Sequence, residues 1–225
     1  MKAYRTDYQG NPNIGLFIFC NDKVCIVGRG FNKKQVEDIE KVMGVPVYQM
    51  SMVGTELIGL FITGNNKTII APAIMYSTEK KILKEICEKN NLRLEIINTK
   101  LTALGNNILC NDSGCIINHE FEEDSKIQIR DVFGNEHGTV LFGTISCLDI
   151  VGSLAASTNK GALVSPEIED KELEILEKLL KCKVVKGNIN GTPYVRSGLV
   201  ANSNGVIVSE YSLGDEALNI KEAFD

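Results

Sequence analysis

The chain has no apolar run approaching the ~18 residues that a membrane-spanning helix needs. Its opening, MKAYRTDYQGNPN, lacks the apolar segment of a secretory leader, so a cytoplasmic protein with no membrane role is expected. The N-x-[ST] matches at Asn66, Asn111 and Asn190 then carry no weight as glycosylation sites. Positive charge is also short: 24 Lys and Arg face 29 Asp and Glu, a formal charge of −5. That balance argues against holding nucleic acid by bulk electrostatics, while leaving room for docking on a basic partner. Nucleotide motifs are missing. GRG at 28–30 meets Lys33 where a dinucleotide fingerprint needs a third glycine, and no G-x4-GK[ST] occurs. Histidine is limited to His119 and His137, and the seven cysteines, an odd number, read as free thiols rather than a disulfide framework.

What is present is a soluble composition, 44% hydrophobic and 24% charged, and a phrase said five times. LVANSNGVIV at 199–208 is a β-hairpin signal: two apolar runs around a turn of Asn, Ser, Asn and Gly. LFIFCNDKVCIV from Leu16, LFITGNNKTIIA from Leu60, NNILCNDSGCII from Asn106 and SLAASTNKGALV from Ser153 repeat it. Glycines stand before each hairpin, at Gly15, Gly59, Gly105, Gly152 and Gly198. A period of about 45 residues is the mark of a repeat architecture.

Each unit continues with a helix and a third strand. NKKQVEDIEKVMG has Asn32 and Gln35 in capping-box spacing, an apolar stripe of Val36, Ile39, Val42 and Met43, and Gly44 to stop it. TEKKILKEICEKN, opened by Ser77 or Thr78, and KELEILEKLLK, opened by Asp170, repeat the pattern. Unit three is ambiguous, because Ile127 and Ile129 alternate as in a strand while Val132 and Phe133 could finish a helix. Third strands begin at Val45, Arg93, Thr139 and Lys183; unit five has none after DEALNIKEAFD. A strand-like piece at residues 3–11 precedes the first anchor. If it supplies the missing strand, residues 1–225 form one domain whose last repeat pairs with its first, and no sheet edge is left exposed.

The run LTALGNNILCND at 101–112, with GNNKTIIAP at 64–72, NKGALVSP at 159–166 and SGLVANSNGVIVSE near the end, resembles the translation initiation factor 6 family. The resemblance runs the whole chain in order and looks archaeal, since the chain stops at the end of the fifth unit. It implies a pentein-type, five-bladed α/β ring that binds the large ribosomal subunit on its joining face and blocks premature association with the small subunit. A ribosomal protein with rRNA nearby would be the contact. Enzymes that modify guanidino groups with a cysteine nucleophile share this ring and supply the alternative. They resemble one another in placing that cysteine in the last repeat, whereas the last one here is Cys182, in unit four.

Two cysteine pairs, Cys20 with Cys25 and Cys110 with Cys115, share a C-x4-C spacing at offsets five and ten from their anchors. Gly64, Ile69, Ser157 and Ala162 occupy those offsets elsewhere, so the thiols read as packing groups and not as zinc ligands. His119 could serve Cys110 or Cys115 as a base, but both histidines read as loop residues. No catalytic residue, metal or cofactor is expected, and no small-molecule substrate; the protein should be a monomer. A docking patch is expected where the repeat gathers the residues after the anchors. Leu60, Asn106 and Leu154 are candidates there, joined by Tyr194 in NGTPYVRSG, while Leu16 and Leu199 read as core.

Overall fold

The computed structural model describes residues 2–134, 138–212 and 214–225. Each repeat is a blade with an inner strand, an antiparallel middle strand, a helix, and an outer strand parallel to the middle one. In blade one these are Ile18–Cys20, Cys25–Val27, the helix Lys33–Met43 and Val47–Gln49. Blade two uses Thr63–Gly64, Thr68–Pro72, Ser77–Lys89 and Arg93–Ile97. Blade three has Ile108–Cys110, Gly114–Asn118, Glu123–Gly134 and Thr139–Gly143. Blade four has Ala155–Ser157, Gly161–Val164, Asp170–Leu180 and Lys183–Lys186.

Blade five takes Leu199–Ala201, Gly205–Ser209 and the helix Gly214–Phe224 from the end of the chain. Its outer strand is Lys2–Thr6, in parallel register with Gly205–Ser209. That strand is shorter than the 3–11 expected. Gln9 and Gly10 adopt positive φ, and Tyr8 bridges back to Asn11, so the chain turns instead of extending. In unit three the helix wins. Ile129, Val132 and Phe133 share its buried face and leave Ile127 outside at 53% exposure.

The five sheets stay separate, and apolar packing joins them into a ring. Each of five buried clusters spans one blade-to-blade boundary. Phe19, Met52 and Leu83 fill one–two, Ile70, Ile108 and Phe121 two–three, and Leu109, Val164 and Leu176 three–four. Leu163, Leu199 and Ile220 fill four–five, and Ile18, Ile39 and Ile207 close five–one. No blade owns a core, so the stacked arrangement is what buries apolar surface.

The hairpin turns lie at one end of the ring axis and tie the blades together there. Asn21, Asn65, Asn111, Thr158 and Asn202 each accept backbone N–H groups two and three residues on, which closes the turn. The next residue reaches sideways. Asp22 N–H donates to Asn66 at 2.7 Å, Asn66 N–H to Asp112 at 2.9 Å, Asp112 N–H to Asn159 at 3.0 Å, and Ser203 N–H to Asp22 at 2.7 Å. Lys160 Nζ spans the remaining boundary to the Ser203 carbonyl at 2.7 Å.

These turns fix the repeat register and correct one anchor. Counting back from Asn202 as from Asn21 reaches Arg196, not Gly198. Arg196 N–H donates to Ser153 O at 3.1 Å, just as Gly152 N–H donates to Asn106 O at 2.9 Å. A Cβ on Gly15 would collide with the Arg196 carbonyl, and Cβ atoms on Gly59, Gly105 and Gly152 would collide with the carbonyls of Gly15, Gly59 and Gly105. Four stations therefore require glycine because backbone passes backbone. The fifth carries an arginine whose side chain enters the axial channel. Gly198 sits two residues later, in the place of Phe17 and Leu154.

Candidate functional site

The anchors mark the other end of the axis. The loops from middle strand to helix gather there, with the turns that carry each outer strand to the next anchor. Four of those turns place two successive residues at positive φ, the pattern of a tight hairpin turn: Gln9–Gly10, Val53–Gly54, Ser146–Cys147 and Asn190–Gly191. For β-branched Val53, at φ 55°, this is a strained conformation.

A side chain from the following helix start holds each turn. Glu79 accepts Val53 N–H at 2.8 Å and Gly54 N–H at 2.9 Å; Glu216 accepts Asn190 N–H at 3.1 Å and Gly191 N–H at 2.8 Å. Glu172 accepts Ser146 N–H at 3.2 Å, and Glu122 accepts Thr99 Oγ1 and Lys100 N–H. In blade one Gln35 performs the task by donating to Thr6 Oγ1 and the Asp7 carbonyl. Burial pushes the Glu79 pKa up, yet its backbone N–H donors outweigh this and the net shift is downward. Glu122 is drawn down to about 2, first by Thr99 and then by backbone N–H donors. Glu79 and Glu122 are thereby held in the ionised, acceptor-only form that their turns use. Gln35 therefore both caps its own helix and holds the turn that precedes it.

At the centre of this face is a bowl of about 360 Å³, with Asn13, Asn106, Ser153, Tyr194 and Arg196 among its lining. It unites two of the four predicted site residues. Tyr194 is 42% exposed, and the Asn106 side chain makes no hydrogen bond among the described residues, which leaves its amide available to a partner. Its neighbour Asn107 does the structural work, donating to the Ala103 carbonyl at 2.9 Å and accepting from Asn118 Nδ2 at 2.8 Å. Leu60 is half-buried and lies outside the bowl's lining. Leu154 is fully buried in the boundary between blades three and four, and no partner can reach it. It failed as a candidate because the residue equivalent to Leu16 is Ser153, not Leu154. Leu16 itself lines the bowl, whereas Leu199 is core. Around the bowl, Ile74, Tyr76 and Tyr211 stand 48%, 58% and 62% exposed on loops of the same face.

Below the bowl the channel narrows among Cys20, Gly64, Cys110, Ser157 and Ala201. Burial pushes the Cys110 thiol up to about 11, although Arg196 pulls it down, and pushes Cys87 to about 12. Cys25 and Cys115 are fully buried, as a packing role requires, whereas Cys147 is exposed in its turn. His119 Nδ1 lies 3.1 Å from Asp149 Oδ1 and is absent from the groups acting on Cys110. His137 lies outside the described residues. Among the described residues no cluster of three or more His, Cys, Asp or Glu could hold a metal ion, and no helix is long and apolar enough to cross a membrane.

Similarity to known proteins agrees with this architecture. The eIF-6 family profile matches residues 3–223. Translation initiation factor 6 of Pyrococcus abyssi is 39% identical over 99% of this chain and 98% of its own length. The protein of the same name from Staphylothermus marinus is 35% identical over 98% and 96%. Among solved structures, a mutant of DDAH from Pseudomonas aeruginosa in complex with citrulline superimposes with a TM-score of 0.53 at 11% identity, covering 82% of this chain and 71% of that one. That likeness shows the fold alone, a five-bladed pentein-type propeller. Matched from end to end by a family profile and by relatives of nearly its own length, the chain belongs to the eIF-6 family.

Proposed function

We propose that the protein is an anti-association factor: it docks the anchor face on the large ribosomal subunit and by its bulk excludes the small subunit. Homologues named translation initiation factor 6 support a role in translation initiation. The observation that carries the finer reading is the anchor face itself. Tyr194, Tyr76, Tyr211 and Ile74 are exposed around a bowl with an unpartnered Asn106, and aromatic anchors with free polar groups are what interface centres are made of. The net charge of −5 favours a basic ribosomal protein as the main contact, with rRNA beside it. The factor would work in the cytoplasm as a monomer.

The mechanism is occupancy. At free factor one hundred times Kd, about 1% of sites stay open, equivalent to ~2.7 kcal/mol of linkage. A rigid disc suits the task, and the carboxylate-held turns and shared cores supply the rigidity. A cysteine-based guanidino enzyme is disfavoured by Cys110, which burial keeps protonated at neutral pH and on which no described histidine acts. Co-sedimentation with purified large subunits tests the proposal. Wild type should pellet with them and reduce joining to small subunits. Tyr194→Ala or Asn106→Asp should weaken binding roughly tenfold or more with an unchanged melting temperature. Binding that leaves joining unaffected would end the steric reading.

A further inference from the structure

The lining of the anchor-face bowl includes a cation, Arg196, that no described carboxylate neutralises. Arg196 is half-buried as a residue, with its guanidinium withdrawn into the channel. Among the described residues no carboxylate pairs with it. Its one side-chain hydrogen bond runs from Nη2 to the Gly59 carbonyl at 3.5 Å, the outer limit of such a bond. A guanidinium presents five N–H donors in a planar fork, so most of that capacity is unused. The charge also stands alone chemically. Cys110, the group nearest in effect, is a protonated thiol that offers no counter-charge.

The walls continue the pattern. Asn13, Asn106 and Ser153 line the bowl with side chains that make no hydrogen bonds among the described residues, and no carboxylate is among the lining residues. A recess with one desolvated cation, three unused neutral polar side chains and no acid is complementary to an anion of fixed shape, because charge-assisted bonds to oxygen are strongest where the guanidinium fork can close on two oxygens at once. On a chain of net charge −5 such a recess is a local exception, not part of a general basic surface.

We infer that the bowl is an oxyanion-binding site, in which Arg196 grips a carboxylate or phosphate group two-pronged while Asn106, Asn13 and Ser153 supply the remaining hydrogen bonds. The site belongs to the isolated protein and does not depend on docking to the ribosome. The ring delivers it. Four stations must be glycine, and the fifth sends its side chain into the channel at the floor of the bowl.

The test is a heteronuclear NMR titration of the free protein in chloride buffer, with inorganic phosphate in one arm and acetate in the other. Saturable shifts confined to Gly59, Asn106, Ser153 and the Arg196 side-chain N–H are expected in at least one arm, and the stronger arm names the ligand chemistry. Arg196→Gln should weaken that affinity roughly tenfold or more, and Arg196→Lys, which keeps the charge but loses the fork, should fall between. Shifts that never saturate in either arm, or binding unchanged in Arg196→Gln, would overturn the assignment. Should Arg196→Gln fail to fold, wild-type crystals soaked in selenate decide. An anomalous peak beside the Arg196 guanidinium supports the site, and none there refutes it.

Discussion

Replacing Gly59 by alanine adds one methyl group to a fully buried backbone crossing, and the structure says where it would go. The new Cβ would fall far inside the 3.0 Å limit that real Cβ atoms respect, against two carbonyl oxygens, those of Gly15 and Ile18. The φ of Gly59 is not positive, so the backbone conformation itself costs alanine nothing; the whole penalty is steric. Neither oxygen belongs to a side chain that can swing aside. The boundary between blades one and two must therefore open by roughly 1 Å, or the helical turn Ile58–Phe61 must lift. Overpacking costs about 1–3 kcal/mol where neighbours can yield, and a backbone neighbour puts this case at the upper end, about 3 kcal/mol. For a domain of this size that corresponds to a melting point roughly 6–12 °C lower. Gly214→Ala is the control. Nothing lies within 4 Å of its would-be Cβ, and it opens the helix Gly214–Phe224, so stability should hold or rise by about 0.5 kcal/mol. Denaturant unfolding of both variants beside wild type measures the contrast. If Gly59→Ala fell within about 0.5 kcal/mol of wild type, the ring would be loose enough to admit a methyl at every station, and close backbone passage could not be the reason for glycine there.

Two further outcomes follow from the turns of the anchor face. The pKa of Glu122 is held at about 2 in the folded protein against 4.5 for the free side chain, so the group binds fewer protons folded than unfolded between those values. Its contribution is complete above pH ~4.5 and drains away as pH falls toward ~2. Glu122→Gln should flatten the fall in stability across that acid window, read as Tm against pH, while a parallel curve for wild type and variant would show that the Thr99 and Lys100 contacts do not matter in solution. Cys147 is exposed at φ 60°, where a side chain costs about 1 kcal/mol relative to glycine. Cys147→Gly should raise Tm by roughly 2–4 °C and remove the fastest-reacting thiol in a labelling time course; a lower Tm would mean that the thiol makes contacts the turn needs.

The parts legible in sequence were those with a local physical cause. Asn32 and Gln35 announced their capping box because both partners lie on one helical turn, and the structure contains it. The hairpin turns showed themselves because an Asn side chain, or Thr158 in blade four, closes each loop within three residues. What escaped notice depended on groups far apart in the chain. Glu79 reads as one more acid on a charged helix until the turn at Val53 is seen to need its two oxygens, 25 and 26 residues away. Gly198 reads as an anchor in sequence because it is a glycine before a hairpin, but the requirement at that station is a bare backbone facing a neighbouring carbonyl, and sequence shows the residue and not the neighbour. The same slip promoted Leu154, which shares its station with buried Phe17 rather than with Leu16.

Arg196 shows how a symmetric scaffold produces an unsymmetric surface. Fivefold repetition makes every station nearly equivalent in backbone, so a functional group cannot come from the fold alone; it must come from the one unit that departs from the pattern. Glycine at four stations closes the ring around its axis, and a fifth glycine would leave the channel with no charged group at that level. The arginine gives up the hydration of a guanidinium, a cost that does nothing for ring closure, since Arg196 N–H and Gly152 N–H make the same backbone bond. A group that burdens stability, contributes nothing to closure that glycine would not, and opens onto a face with exposed tyrosines and the Asn106 amide is best understood through what it can hold there.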